Sequence, residues 1–276
     1  MIPLQRIRSE IAIKAKYRGN GKLSADKELL LARLDVLNGV KTTIEFNSAF
    51  WTDAKPQLKS ESNGKCAYCE ADTAVVAHGD VEHYRPKSVY WWLAYTYDNY
   101  LYACQICNQT YKSDNFPKGG ASFPKPAVNP AFMPADVEVT AGHISPDPFG
   151  IDQGFTLKKY LTAHKAEKAF LLNPYFDKPQ TCFAYEADDV LREVRVVPAK
   201  PQYARQVNAA EDFYGINRIE LLNARHQVYR MFRSFKRSFK LLPEGPDKQD
   251  TLDQINDMKS DGYRFAGMCR YFDKKL

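Results

Sequence analysis

Four of the six cysteines form two Cys-x-x-Cys pairs, Cys66/Cys69 and Cys104/Cys107, with 34 residues between the pairs. Each pair lets two thiolates reach one cation from a tight turn, and four thiolates complete a tetrahedral shell for Zn²⁺. A shell of four protein ligands leaves no position for a substrate, so the pattern predicts a structural zinc site. The other two cysteines lack such spacing and are interpreted as small buried hydrophobic residues. They are Cys182 and Cys269.

Polar residues suited to phosphodiester hydrolysis lie between the cysteine pairs and directly after the second pair. Glu82 and Asn108 offer oxygen ligands for a hard cation, Mg²⁺ or Mn²⁺, which can act on a phosphate as a Lewis acid. His83 follows Glu82 and would point to the other face of an extended strand. Because its free pKa lies near neutrality, it is the candidate general base for water.

A basic segment near the C-terminal end is the candidate nucleic-acid surface. The chain carries a net charge of +6, and residues 191–240 hold eleven Lys and Arg against four Asp and Glu. Apolar positions at helical spacing predict an amphipathic helix from Arg218 to Leu242. Its opposite face suits a polyanion, although a solvated helix surface or a protein-binding face stays an alternative. The candidate phosphate contacts are Arg230, Arg233, Arg237 and Lys240 on this helix, with Arg85, Lys87 and Lys112 nearer the cysteines.

The elements that must position these residues are predicted to form a small α+β unit within a mainly helical body. We expect an N-terminal helical segment over 1–60, a core over 61–117, and a loop-rich linker followed by a helical region over 118–276. Residues 117–150 are rich in Pro, Gly and Ala and predict a loop without a regular element. Trp51 and Leu58 are expected to face inward from the second helix.

Boundaries follow from caps, breakers and periodicity. The predicted helices are Ser24–Asn38, ended by Gly39; Asn47–Lys59, with Pro56 as a disturbing residue; a helix from near Cys107 that ends before Pro117; and Arg218–Leu242. The predicted strands are Val75–Tyr84, Tyr100–Ala103, Phe155–Leu157, Cys182–Tyr185 and Leu191–Val197.

The order Glu-His, Asn, Cys-x-x-Cys-Asn and Lys resembles that of HNH endonucleases with a ββα-metal core. The phrases KCAYCE, VEHYRPKS, WWLAY and ACQICN are similar to the HNH subunit of Septu-type phage-defence systems and of related retron-associated nucleases. The resemblance runs from about Thr43 to Arg270 and is concentrated in residues 66–117. It implies that Asn99 orients His83. Glu stands at 82 where Asp is usual, and Asn at 108 where His is frequent, which favours Mg²⁺ or Mn²⁺ over a catalytic zinc.

The resemblance also implies partners. The nuclease would act with an ABC-type ATPase subunit, and in retron systems also with a reverse transcriptase and its msDNA. The sequence has no Walker A motif, so any dependence on ATP is expected to come from the partner. The sequence has neither a long apolar run nor the apolar segment of a signal peptide, so we expect a cytoplasmic protein without membrane contact.

Two alternatives stay open on the sequence. One is a zinc-stabilised module that binds nucleic acid or protein without catalysis and leaves His83 idle. The other keeps the enzyme but gives it tRNA as its substrate in place of DNA. A plain zinc-ribbon scaffold is less consistent, because it does not need Glu-His, Asn and Asn in this order.

Overall fold

The computed structural model describes residues 1–73, 79–150 and 154–276 as helices around two short antiparallel hairpins. The helices are α1 Gly19–Leu37, α2 Ser48–Thr52, α3 Lys55–Glu61, α4 Pro134–Ala141, α5 Leu157–Glu167, α6 Pro179–Cys182, α7 Ala204–Tyr214, α8 Ile219–Leu241, α9 Pro246–Lys259 and α10 Ala266–Asp273. Short 3₁₀ turns cover Ala15–Tyr17, Trp91–Leu93, Tyr97–Asn99 and Pro201–Tyr203. The strands are β1 Asp80–His83, β2 Tyr100–Ala103, β3 Phe183–Asp188 and β4 Glu193–Pro198.

The first hairpin and the helical turn after it form the centre of the molecule. β1 pairs with β2 in a register that places Glu82 opposite Leu101 and His83 opposite Tyr100. β2 is buried along its whole length, and the chain then turns into a π-helix, Ile106–Lys112. The π-helix packs against α7. β1, β2 and the π-helix therefore follow one another in the sequence, with β1 paired to β2 and the π-helix directly after β2.

The second hairpin belongs to the C-terminal body. β3 and β4 pair over six residues each, α8 packs on β4 and α9, and α10 packs on β3. α8 buries Leu221, Val228 and Phe232, in agreement with the predicted apolar stripe. Arg225 lies on the same buried face and donates hydrogen bonds to the carbonyls of Ile216 (2.5 Å) and Val194 (3.4 Å).

The apolar residues buried in the described part of the chain form three clusters, and two of these include residues of the first hairpin's strands. The largest joins the four paired cysteines to the C-terminal body through residues such as Tyr214 and Val228. The second packs α1, α4 and α5 around the aromatic run Tyr90–Tyr95. The third places Ile13, Tyr17 and Leu58 against the tyrosines of the hairpin. The hairpin is thus covered from several sides, which restricts its movement.

Several predicted boundaries differ from the structure. α1 begins at Gly19 rather than after Ser24, and the predicted helix Asn47–Lys59 is two short helices, with Pro56 in the first turn of the second. The segment 117–150 contains α4, and the predicted strand Phe155–Leu157 is instead the start of α5. Residues 75–78 of the predicted strand Val75–Tyr84 lie outside the described residues, and β1 covers only Asp80–His83.

No helix in the described part of the chain combines the length and the apolar character that crossing a bilayer requires.

Candidate metal centre and active-site pocket

The four paired cysteines converge in the fold. Their sulfur atoms lie within 4.8 Å of one another, and all four residues are buried. Cys66 and Cys69 lie in a turn closed by the hydrogen bond from the Cys66 N–H to the Ala71 carbonyl, 2.9 Å. Cys104 follows β2, and Cys107 lies in the π-helix, 3.5 Å from its backbone N–H to the Cys104 sulfur. Four soft ligands at this spacing are consistent with a structural zinc ion.

Arg218 contacts the cysteine cluster from the start of α8, a residue to which sequence reasoning gave no role. Its Nη1 lies 3.4 Å from Cys107 Sγ, and it also donates to the carbonyls of Tyr214 and Gly215. Burial opposes the charge on this guanidinium, but Cys107 and Cys69 raise the pKa of Arg218 above its usual value. A cation here offsets the negative charge that four thiolates bring. Arg218 and Cys107 are 111 positions apart in the sequence, so no local sequence pattern predicts their contact.

A pocket of about 320 Å³ opens beside the cysteine cluster, between β1, α2 and the π-helix. Three residues predicted from the sequence as catalytic or metal-binding line it: Glu82, His83 and Asn108. Lys87, predicted as a phosphate contact, also lines it. The remaining lining residues are Trp51, Val81, Pro86, Gln109, Ser113 and Asp114. The fold therefore brings a carboxylate, an imidazole and an amide together in one cavity.

Glu82 is buried, and its Oε1 atom is held from two sides. Lys112 Nζ lies 2.6 Å from it, and the Tyr68 hydroxyl donates to it at 3.4 Å. Burial raises the pKa of Glu82, and the Lys112 ammonium opposes that rise. Tyr68 stacks on Tyr214 with ring centroids 3.8 Å apart, which fixes the hydroxyl that faces Glu82.

His83 lies at the end of β1 with its ring held by one hydrogen bond. Its Nε2 is 2.9 Å from the Ala94 carbonyl oxygen. A carbonyl only accepts, so Nε2 carries the proton, and in the neutral ring Nδ1 is the acceptor. Burial lowers the pKa of His83 to about 3; the Ala94 hydrogen bond opposes this, and Lys87 and Lys112 add to it. The ring is therefore neutral near pH 7 and free to accept a proton, but it is a weaker base than an imidazole whose pKa lies near neutrality.

The family resemblance implied that Asn99 orients His83; among the described residues the hydrogen bonds of the Asn99 side chain go to the backbone of the loop between the strands. Its Oδ1 accepts from the Arg85 N–H at 2.9 Å, and its Nδ2 donates to the carbonyls of Arg85 (3.0 Å) and Leu93 (3.3 Å). Asn99 thus fixes both ends of the loop between the two strands. Leu93 directly precedes Ala94, whose carbonyl oxygen is 2.9 Å from His83 Nε2.

Two predicted phosphate contacts are buried instead. Arg85 is fully buried, with its Nε 2.8 Å from Glu167 Oε2 and further hydrogen bonds to Tyr160 and His164. Lys112 is fully buried and donates to the His83 carbonyl at 3.0 Å as well as to Glu82. Both side chains support the hairpin from within, because burying a charge is tolerable only when it is paired. Neither faces solvent.

The predicted contacts on α8 divide into paired and unpaired residues. Arg233 is bound to Asp189 at 2.5 Å, and Lys240 donates to the backbone oxygen of Leu276. Arg230 and Arg237 are exposed. Within the part of the chain that the structure describes, these two make no ion pair, so the accessible charge on this face is smaller than the sequence indicates.

A curated relative matches part of the chain. The Septu protein PtuB of Bacillus mycoides is 35% identical over 96 residues, which covers 28% of this chain and 32% of the relative. The matched segment therefore spans about a third of that relative's length. No family model and no solved structure matches the chain. The similarity supports a Septu-related family for the segment it covers.

Proposed function

We propose that this protein is a metal-dependent HNH endonuclease that hydrolyses phosphodiester bonds of DNA or RNA. The observation that carries the proposal is the convergence of Glu82, His83 and Asn108 in one pocket beside the cysteine cluster. In this proposal β1, β2 and the π-helix are the ββα-metal core. Each residue alone has a structural explanation, but a structural role does not require all three to line the same cavity.

Glu82 and Asn108 would hold the divalent cation. A bound Mg²⁺ or Mn²⁺ supplies Lewis-acid stabilisation of the phosphate and of the leaving oxygen. The residues fit such an ion because both offer hard oxygen ligands. Lys112 and Tyr68 both contact Oε1 of Glu82. Among the described residues, Oε2 has no hydrogen-bond partner, so it is the oxygen that would bind the cation. Lys112 thereby orients the carboxylate instead of contacting phosphate.

His83 is the proposed general base. Its protonated Nε2 is held by the Ala94 carbonyl, which leaves Nδ1 to take a proton from the attacking water. The oxygen of that water forms a bond to phosphorus, and the bond from phosphorus to the leaving oxygen breaks. Asn99 serves as a positioning residue through the loop that carries Ala94. Lys87, at the pocket wall, is the residue best placed to contact a flanking phosphate.

We further propose a role in phage defence, supported by the partial similarity to a Septu protein. On this view the nuclease acts in the cytoplasm with an ABC-type ATPase subunit. A retron reverse transcriptase and its msDNA form a second partner set under the same proposal. Control by such a partner would keep the nuclease silent until infection.

The test is cleavage of supercoiled plasmid and of bulk tRNA by the purified protein, side by side, with Mg²⁺, Mn²⁺ or EDTA. We expect one of the two polymers to be cut only with added metal, and the polymer that is cut names the substrate. Metal analysis should find about one zinc ion per chain that survives a short exposure to EDTA. Cleavage that is equal with and without EDTA, or no cleavage even with the ATPase subunit added, contradicts the proposal.

A further inference from the structure

Trp51 occupies a different environment from the other two tryptophans. Trp91 and Trp92 are buried, with 6% and 3% of their surface exposed. Trp51 is only half-buried, although the sequence predicted that it faces inward. It lies in α2 and lines the pocket that holds Glu82, His83 and Asn108. An indole at a pocket wall offers a flat apolar face to whatever enters.

The indole stands directly beside the proposed general base. The ring centroids of Trp51 and His83 are 4.8 Å apart, with the ring planes at 84°. Lys87 Nζ lies 5.6 Å from the centroid of the indole. The Tyr95 ring also lies beside the indole, with centroids 6.3 Å apart and the planes at 36°. A flat group stacked on the free part of Trp51 would therefore lie near the Lys87 cation and the His83 ring. This combination of aromatic face and nearby cation suits a nucleobase joined to a phosphate.

Several other residues that line the pocket are polar. Asn108 and Gln109 come from the π-helix, and Ser113 and Asp114 follow it. The Gln109 amide is engaged by Gln105 and Asp80, and Asn108 is the proposed cation ligand, so the Ser113 hydroxyl and the Asp114 carboxylate are the groups that can bond to the polar edge of a base. The cavity of about 320 Å³ lies within the range of roughly 300 to 1,000 Å³ typical of small-ligand pockets. The pocket thus has room for one flat group with apolar faces and a polar edge.

We propose that Trp51 is a stacking platform for one unpaired nucleobase next to the scissile phosphate, so that the preferred substrate is single-stranded or looped nucleic acid. The inference rests on the proposed nuclease function and narrows its substrate class. A base within a duplex has both faces covered by its neighbours and cannot present one to Trp51. Stacking is indifferent to the sugar, so it accommodates DNA and RNA alike.

The test is binding in EDTA, where no hydrolysis is needed. Labelled single-stranded DNA, single-stranded RNA and a DNA duplex of equal length are titrated against wild type, Trp51→Leu, Trp51→Phe and Phe50→Leu, with fluorescence anisotropy as the readout. Phe50 is the matched control, because it lies in the same helix and packs against Tyr17 and Tyr95 but does not line the pocket. Zinc content and circular dichroism verify the fold of each variant.

We expect Trp51→Leu to weaken single-strand binding roughly tenfold and to leave duplex binding unchanged. Trp51→Phe should keep most of the affinity, since a phenyl ring can still stack. Single strands should also quench the tryptophan fluorescence of wild type much more than that of Trp51→Phe. Unequal affinity for the DNA and RNA strands would name the natural polymer.

The inference is overturned if Trp51→Leu weakens single strands and duplex equally, if it weakens neither, or if Phe50→Leu has the same effect. It is also overturned if no single strand quenches the fluorescence. Binding is measured without divalent metal and does not depend on hydrolysis. A protein that binds single strands through Trp51 but cleaves nothing would therefore contradict only the nuclease proposal. An active nuclease that ignores Trp51 would contradict only the stacking platform.

Discussion

Glu82 and His83 are neighbours in sequence with different environments. Glu82 faces Lys112 and Tyr68, whereas His83 faces the Ala94 carbonyl and the rings of Trp51 and Tyr100. A strand of alternating side chains places them on different sides, yet both line one pocket. The carboxylate is therefore paired with a cation while the imidazole stays neutral, which is the division of roles that hydrolysis by a metal and a base requires.

Replacing Lys112 by Met should destabilise the fold strongly. Both members of the pair with Glu82 are buried, so the substitution leaves an uncompensated carboxylate, at a cost of about 3–5 kcal/mol in the free energy of unfolding. Urea denaturation measures this loss. The exposed Lys125 gives the control, since Lys125→Met should change stability by less than about 0.5 kcal/mol.

A double variant shows whether the pair itself is the cause. Glu82→Gln added to Lys112→Met removes the stranded charge, so the double variant should be more stable than Lys112→Met alone. If the double variant loses the sum of the two single losses, the ion pair does not explain the role of Lys112.

At the residue scale, the sequence predicted which side chains share one pocket but not what each of them contacts. The types and order of Glu82, His83 and Asn108 were sufficient to predict a common site. Arg85 and Lys112 look like phosphate contacts in the sequence, because a basic residue near a catalytic motif gives no sign of burial. Their partners, Glu167 and the carboxylate of Glu82, depend on tertiary packing.

The first hairpin is too small to hold the site by itself. β1 and β2 are four residues each, and a two-stranded hairpin of that size is at best marginally stable in water. Cys104 lies directly after β2, and the Cys66–Cys69 turn is tied to the hairpin by the hydrogen bond from the Ala67 N–H to the Tyr102 carbonyl, 2.9 Å. A zinc ion on the four cysteines would therefore hold the hairpin and the π-helix in fixed relation.

Cys66→Ser should release the zinc ion and lower the melting temperature by roughly 10 °C, because metal binding contributes directly to folding. Atomic absorption and thermal unfolding measure the two effects. Cys182→Ser is the matched control: Cys182 is also buried but lies outside the cluster, so its variant should keep the zinc. Equal zinc content in the two variants would exclude the four-cysteine site.

The contact between α1 and the loop after α4 gives a dependence on pH. Asp26 on α1 is buried and is bound by Lys22 at 2.7 Å and by the Ser145 hydroxyl. Burial raises the pKa of Asp26 to about 6, with Lys22 and Ser145 opposing the rise. Because the folded state binds this proton more tightly than the unfolded state, the contribution of Asp26 to stability is fully present below about pH 4 and is lost as the pH rises through about 6.

Asp26→Asn removes this titration. The stability of wild type relative to Asp26→Asn should therefore fall by about 3 kcal/mol between about pH 4 and 7. Urea denaturation of both proteins at several pH values measures it. If the difference in stability between wild type and Asp26→Asn stays constant over this pH range, burial does not raise the pKa of Asp26.

At the element scale, periodicity and caps succeeded where a helix or strand is determined locally. The predicted strand Tyr100–Ala103 matches β2, and α8 lies within one residue of its predicted ends. In 117–150 the prolines were interpreted as helix breakers, but Pro134 begins α4 at a position where its missing N–H costs nothing. Thr156 caps α5 by accepting a hydrogen bond from the Lys159 N–H. The predicted strand Phe155–Leu157 was therefore wrong, because the chain begins a helix there.

Over the whole molecule, the net charge is +6. Internal ion pairs engage some of the cations, so fewer of them are available to bind phosphate. On α8, Arg233 and Lys240 are engaged within the chain, while Arg230 and Arg237 are exposed. Total charge is readable from the sequence. Which charges remain available to a polyanion is not, because pairing depends on which acidic residues the fold brings close.

Arg230→Ala with Arg237→Ala should weaken duplex DNA binding and reduce the slope of log K against log salt by about 2, since each phosphate contact contributes about 0.9. The control is Lys158→Ala with Lys165→Ala, which removes two exposed cations from α5. If both double variants change the slope equally, the effect is one of net charge and α8 is not a nucleic-acid surface.

The most direct test of the account compares cleavage by wild type, His83→Ala and His143→Ala in Mg²⁺ or Mn²⁺. His143 is exposed, and within the described chain its ring bonds only to the Val139 carbonyl, so it controls for loss of a histidine side chain as such. We expect His83→Ala to cut roughly 100-fold more slowly or worse, with zinc content and nucleic-acid binding retained, and His143→Ala to match wild type. Cleavage by His83→Ala at the wild-type rate would contradict the assignment of this pocket as the active site.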